Sequence, residues 1–175
     1  MTKPYVLFLD FDGVVNILDR DQRENPAEGN KFAYIGCTAE RRPYAEYPIV
    51  WNPDVVDALN ELNEDPEIAV VWLTDWQKAH DGLDNIKETL GLGPFEATEV
   101  ARTSGWWKTA SRHYYLHDNE PTRTVWVDDN VFSSSGTNDR EYYVNPDEGI
   151  TLEEIEELKH WLKTGEIKTE ENDGI

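Results

Sequence analysis

The chain has 175 residues, of which 38% are hydrophobic and seven are tryptophan, enough apolar material for one domain with a buried core. Its formal net charge of −20 argues against nonspecific nucleic-acid binding and against docking on anionic membranes, since both attract basic proteins. The single cysteine, Cys37, excludes an intrachain disulfide, and without a signal-peptide pattern or a membrane-length apolar run we expect a cytoplasmic protein.

The first half of the chain predicts a strand, an insertion and a helix. Residues 5–9 (YVLFL) are apolar throughout, as in a strand covered on both faces. Residues 17–50 are rich in charged residues, Pro and Gly without a clean period, so we expect a small insertion or cap. Asn52 and Pro53 then predict a helix start, with Asn as the N-cap and Pro at the first helical position.

The remaining residues alternate strands with helices. The predicted strands cover 68–76, 124–130 and 141–145, and the predicted helices cover 83–90, 107–117 and a segment opened by a capping box of Thr151 and Glu154. This alternation predicts an α/β sandwich around a mostly parallel sheet. We expect one domain over residues 1–165 and an acidic, disordered tail over 166–175.

Polar residues follow three of the predicted strands. Asp10 and Asp12 end the first, Thr74 the second, and Asp128 and Asp129 the third. One Asp pair by itself is typical of a turn or a helix cap, but the carboxyl ends of parallel strands converge, so these side chains are expected in one crevice. Clustered carboxylates repel one another when buried, and Mg²⁺ is the hard cation that such oxygen ligands favour.

The same residues resemble the four motifs of haloacid dehalogenase-like (HAD) hydrolases. LFLDFDGVV resembles the first motif, AVVWLT the second, Lys108 the third and VWVDDN the fourth, in the family's order. The wording DGVVN with VVWLTDW is also similar to phosphatase domains associated with nucleic-acid repair enzymes. The resemblance implies a three-layer α/β/α sandwich with a Rossmann-like sheet and a minimal cap.

The resemblance also implies catalytic roles. Asp10 would be the nucleophile that forms an aspartyl-phosphate, and Asp12 would protonate the leaving oxygen and then activate water. Thr74 and Lys108 would bind the phosphoryl group. The presence of Asp12 favours phosphoryl hydrolysis or transfer, because dehalogenase-type members lack this second aspartate.

The metal implied by the resemblance is Mg²⁺. Asp10, the main-chain carbonyl of Asp12 and Asp129 would bind it. Asp128 is either a further ligand or the residue that orients a water molecule or Lys108. The spacing alone leaves the choice between Asp128 and Asp129 open.

Substrate selection is indicated by two further residues. Arg42, next to Arg41 in the insertion, is a candidate phosphate or carboxylate contact, or one of an exposed pair on an acidic surface. Trp76 is a candidate platform for a nucleobase, or a packing residue. The resemblance implies that an insertion this short leaves an open site, which suits a bulky substrate such as a nucleotide or a nucleic-acid terminal phosphate.

We therefore expect a Mg²⁺-dependent phosphatase that acts on a phosphorylated small molecule or a polynucleotide end. Two alternatives remain at this stage. One is a phosphotransferase or phosphomutase with the same covalent intermediate, and the other is a non-catalytic binding module that keeps the HAD fold.

Overall fold

The computed structural model describes residues 2–39 and 43–168. Its strands are β1 (Tyr5–Leu9), β2 (Lys31–Cys37), β3 (Ala45–Trp51), β4 (Ile68–Trp72), β5 (Glu96–Ala97), β6 (Arg123–Asp128), β7 (Ser134–Ser135) and β8 (Asp139–Tyr143). Six of them form the central sheet in the order β5-β4-β1-β6-β8-β7, and β7, which pairs with β8, is antiparallel at one edge. The other neighbours in this sheet are parallel, as the sequence predicts.

Helices cover both faces of the sheet. They are α1 (Asp21–Glu24), α2 (Pro53–Glu64), α3 (Gly82–Leu90), α4 (Trp107–Asn119) and α5 (Leu152–Thr164), and a 3₁₀ turn spans Asp75–Lys78. Buried residues of α2, α3 and α5 share one core cluster, and those of α4 belong to a second cluster. The architecture is the predicted three-layer α/β/α sandwich.

Strand β1 shows why an unbroken apolar run is needed at the centre of this sheet. Leu7 and Leu9 point into the core shared with α2 and α5, whereas Val6 and Phe8 point into the core shared with α4. All four are at most 1% exposed, because successive side chains of a strand face opposite sides of the sheet.

The predicted helix starts are present. Asn52 caps α2 and accepts a hydrogen bond from the N–H of Asp54, and Pro53 is its first helical residue. Thr151 and Glu154 form the capping box of α5. These side chains satisfy backbone donors that a helix end leaves free, and they fix where each helix leaves the sheet edge.

The insertion is more regular than its composition predicts. Strands β2 and β3 pair antiparallel over their full lengths, from Lys31 opposite Trp51 to Cys37 opposite Ala45. The hairpin joins the main core through Ile35, Ile49 and the end of β3. The predicted small cap is therefore a two-stranded hairpin, which we call the cap hairpin.

Candidate active site

The candidate site lies where β1, β4 and β6 end. Leu9 of β1 is in register with the last residue of β4 and with Val127 of β6. The residues that follow, among them Asp10, Thr74 and Asp128, therefore emerge at the same edge of the sheet. This is the edge where parallel α/β sheets bind their ligands.

Three carboxylates and one lysine form the centre of the site. Oxygen atoms of Asp10, Asp128 and Asp129 all lie within 4.8 Å of one another. Lys108, in the first turn of α4, places Nζ 3.1 Å from Asp10 Oδ2 and 2.7 Å from Asp128 Oδ2. Lys108 is 4% exposed and Asp128 is 0% exposed, so these charges interact with little screening by water.

Burial and mutual repulsion disturb the ionisation of the cluster. Burial, and then the charge of Asp128, raise the pKa of Asp10 well above its ordinary value, although Lys108 opposes the change. Burial and Asp128 also raise the pKa of Asp129 to about 6. For Lys108 burial acts to lower the pKa, but Asp10 and Asp128 outweigh it and the net change is upward. The lysine therefore stays charged, whereas the raised pKa values of Asp10 and Asp129 oppose their ionisation.

This cluster fits a hard divalent cation. When ionised, its three carboxylates exceed the single ammonium of Lys108 by two negative charges, and a divalent cation would balance them. The donor atoms are all oxygen, which suits Mg²⁺ better than a soft transition metal. The residues that the sequence predicts as ligands are thus compatible with the metal that it predicts.

Asp128 and Asp129 differ in their surroundings. Asp128 Oδ2 accepts hydrogen bonds from Lys108 and from the indole of Trp126, and its Oδ1 accepts one from the N–H of Asn130. Asp129 lies against Gly13, where any added Cβ would collide with its carboxylate. Asp128 is therefore bonded to the protein on both oxygens, and the sequence-based preference for Asp129 as the ligand stays a prediction.

The carboxylate of Asp12 has different partners from the cluster. Its Oδ1 accepts a hydrogen bond from Asn16 Nδ2 at 2.8 Å, and its Oδ2 accepts one from Trp76 Nε1 at 2.9 Å. The side chain is partly exposed and lines a cleft of about 590 Å³ beside the cap hairpin, together with Cys37 and Tyr47. Sequence reasoning missed Asn16, although it stands at the end of the quoted motif DGVVN.

Thr74 caps the 3₁₀ turn that follows β4. Its Oγ1 accepts a long hydrogen bond of 3.5 Å from the N–H of Trp76, and its own N–H donates to Gln77 Oε1 at 2.9 Å. A hydroxyl also has a hydrogen to donate. Within residues 2–39 and 43–168 no protein acceptor takes that hydrogen from Thr74, which is 1% exposed, and its contact with a phosphoryl oxygen stays a prediction.

Of the two candidate substrate residues, the structure describes Trp76 but not Arg42. Trp76 is only 6% exposed and packs edge-on against Phe11 and Tyr47, so its visible contribution to the site is the indole N–H bonded to Asp12. A direct contact of Trp76 with substrate stays a prediction. Arg42 and its neighbour Arg41 lie outside the described residues.

Fold and site together define a HAD-like protein, with the aspartate pair after the first strand and the lysine and acidic pair of the later motifs at one sheet edge. The chain belongs to the family described as the HAD domain in Swiss Army Knife RNA repair proteins, whose model matches residues 6–155. This confirms the resemblance found in the sequence. No curated protein and no solved structure matches the chain. Among the described residues, no helix has the length and apolar character needed to cross a bilayer.

Proposed function

We propose that this protein is a Mg²⁺-dependent phosphomonoester hydrolase that acts through an aspartyl-phosphate on a nucleotide or a nucleic-acid terminal phosphate. The observation that carries the proposal is the placement of Lys108 between Asp10 and Asp128, within a cluster of three carboxylates at the carboxyl edge of the sheet. Membership of a HAD family supports hydrolase chemistry at this edge.

The metal would be held by Asp10, Asp129 and the main-chain carbonyl of Asp12, with Asp128 as a further or supporting ligand. When bound, Mg²⁺ supplies positive charge that lets an anionic carboxylate approach an anionic phosphate. Lys108 adds a second, permanent positive charge, which lies in direct contact with Asp10 and Asp128. Together these two positive charges offset the repulsion between the attacking carboxylate and the phosphate.

In the first step, a carboxylate oxygen of Asp10 attacks phosphorus and the bond from phosphorus to the leaving oxygen breaks. Asp10 is held for this attack by the N–H of Phe11, which donates to Oδ1 at 2.8 Å, and by Lys108 at Oδ2. Asp12 gives its proton to the leaving oxygen, so the alcohol departs neutral. Lys108 and the Thr74 hydroxyl stabilise the charge on the phosphoryl oxygens.

In the second step, water attacks the phosphorus of the aspartyl-phosphate. Asp12, now ionised, takes a proton from this water. The bond between Asp10 and phosphorus breaks, which releases inorganic phosphate and restores both carboxyl groups to their starting states. The same residue thus serves first as an acid and then as a base, on the two halves of one reaction.

The cleft and the family description support the proposed substrate class. A cleft of about 590 Å³ next to Asp12, bordered by a hairpin rather than a cap domain, has room for a group larger than phosphate alone. The family description names RNA repair proteins, which supports a nucleotide or a polynucleotide end as the substrate. A net charge of −20 disfavours grip along a polynucleotide backbone, so we expect recognition confined to the terminal nucleotide.

The test is release of phosphate from a panel of nucleoside monophosphates, sugar phosphates and oligonucleotides phosphorylated at either end, with Mg²⁺ or with EDTA. We expect Mg²⁺-dependent turnover in the wild type and none in Asp10→Asn. Asp118→Asn, an exposed change of the same kind, serves as the control and should keep full activity. Full activity of Asp10→Asn would contradict the proposal.

The alternatives have distinct outcomes in the same experiment. Transfer of the phosphoryl group to an added alcohol, without inorganic phosphate, would indicate a phosphotransferase. An inactive protein whose melting temperature does not respond to Mg²⁺ would indicate a binding module.

A further inference from the structure

Both oxygens of the Asp12 carboxylate are bonded to side chains that are themselves buried. Asn16 donates to Oδ1 at 2.8 Å and Trp76 donates to Oδ2 at 2.9 Å, and these donors are 3% and 6% exposed. A partly exposed aspartate ordinarily samples several side-chain rotamers. Here two buried donors, one on each oxygen, restrict the carboxyl group to one orientation, because hydrogen bonds are directional.

The cap hairpin contacts both donors. The N–H of Val50 donates to Asn16 Oδ1 at 3.1 Å, which fixes the amide with its NH₂ group toward Asp12. The ring of Tyr47 packs edge-on against Trp76, with 5.7 Å between ring centroids. Tyr47 and Val50 both belong to β3, so one strand of the hairpin supports the two groups that orient Asp12.

Phe11 packs against the same indole. Its ring packs against Trp76 with 5.4 Å between centroids, again nearly perpendicular. Phe11 is 0% exposed and directly follows Asp10 in the chain. The buried indole therefore contacts both the segment that carries the nucleophile and the cap hairpin, and these contacts restrain its N–H near Asp12.

We propose that Trp76, together with Asn16, is a positioning residue that aims the Asp12 carboxyl group at the leaving oxygen. The inference rests on the proposed function, in which Asp12 protonates that oxygen. Proton transfer requires the Asp12 carboxyl oxygen and the leaving oxygen to approach within about 2.6–3.2 Å. A small misplacement of the acid therefore lowers the rate far more than the loss of one hydrogen bond would suggest. Trp76 acts through Asp12 and need not touch the substrate.

Substrates with different leaving groups test this role, since only poor leaving groups need the proton. An alkyl phosphate such as a nucleoside monophosphate must leave as an alcohol, whereas p-nitrophenyl phosphate releases a stable anion. The variant Trp76→Phe keeps the ring and removes the donor. We expect it to lower kcat/KM about tenfold or more for the alkyl ester and by less than about twofold for the p-nitrophenyl ester.

The choice of kcat/KM matters because this ratio reports the steps up to departure of the leaving group, whichever later step limits turnover. Equal losses on the two substrates, or no loss on the alkyl ester, would overturn the inference. Trp107→Phe is the matched control, because Trp107 is also buried and its indole donates to a carboxylate, Asp75, at 3.0 Å. Any loss in this control should be the same for both substrates; a selective loss there would also count against Trp76.

A second measurement judges the contact without relying on activity. The indole N–H resonance that disappears in Trp76→Phe identifies Trp76 among the seven tryptophans. In Asp12→Ala that resonance should move upfield, because its acceptor is gone, while the Trp107 resonance stays in place. An unmoved Trp76 resonance would overturn the inference even in an active enzyme. A displaced one would support the Trp76–Asp12 contact, and failure of the wild type on every phosphate ester would then count against the proposed function rather than against this contact.

Discussion

Replacement of Asp129 by Asn should stabilise the metal-free protein near neutral pH. In the folded protein, burial and the neighbouring Asp128 raise the pKa of Asp129 from 3.8 to about 6. Folding thus favours the protonated carboxyl group, and the free energy of unfolding falls as pH rises from about 4 to about 6. Above that window the folded protein carries the full cost of ionising Asp129, and an asparagine has no charge to ionise.

The size of the effect follows from the pKa change. A rise from 3.8 to about 6 corresponds to about 3 kcal/mol, and solvent around this partly exposed carboxylate reduces the figure to about 2 kcal/mol. At pH about 4, close to the ordinary pKa of aspartate, the folded wild type is almost neutral at this position, so the difference should fall below about 1 kcal/mol. With Mg²⁺ the order should reverse, since saturation at about 100 times Kd stabilises the wild type by about 2.7 kcal/mol.

Urea unfolding of both proteins in EDTA, at pH about 4 and about 7.5, and again with excess Mg²⁺, measures all three differences. Asp118→Asn, an exposed position, controls for the removal of one negative charge from a very acidic chain. A variant less stable than the wild type in EDTA at pH about 7.5 would refute the reasoning, as would a stability gap that is the same with and without Mg²⁺.

Three other changes test the site and the core. Lys108→Met should lower the free energy of unfolding by about 3–5 kcal/mol in EDTA, measured by urea unfolding, because it leaves Asp10 and Asp128 buried without their partner; a loss below about 1 kcal/mol would contradict this. Gly13→Ala should lower the free energy of unfolding by about 1–2 kcal/mol, because Gly13 has a φ of +78°. The added methyl group should also displace Asp129 and diminish the Mg²⁺-dependent rise in Tm, and an undiminished rise would argue against the close contact of Gly13 with Asp129. Leu158→Ala should cost about 2–5 kcal/mol, since Leu158 is 0% exposed, yet leave the Mg²⁺-dependent rise in Tm intact, and a diminished rise would show that the core and the site are coupled.

The central sheet and its acidic edge were predictable because they depend on local pattern. Continuous apolar runs such as residues 5–9 specify strands covered on both faces, and the polar residue after each run marks the end where strands meet. The helix starts at Asn52 and Thr151 were also readable, since capping depends on side chains within three residues of one another.

The cap hairpin was not predictable in the same way. Lys31–Cys37 lacks a strict alternation of buried and exposed residues, because only its last part reaches the main core. The short strands β5 and β7 were missed because two residues carry no period. Pairing in all three cases is set by tertiary contacts rather than by local preference.

The roles of Asn16 and Trp76 also lay beyond sequence reasoning. Trp76 stands 64 residues from Asp12 in the chain, and no local sequence pattern indicates that its indole N–H donates to Asp12. The sequence left Trp76 as either a platform for a nucleobase or a packing residue. The structure shows a buried ring whose indole N–H is bonded to Asp12.

The contacts of β3 limit how this fold can be diversified. A segment between β1 and α2 is usually regarded as an exchangeable module, free to grow or shrink as new substrates are acquired. Here Val50 and Tyr47 connect that segment to the partners of Asp12, so an exchange of the hairpin also removes supports of the acid. A chimera that keeps the core and grafts another cap should therefore retain residues 47–50 of β3, the shortest stretch that contains both Tyr47 and Val50.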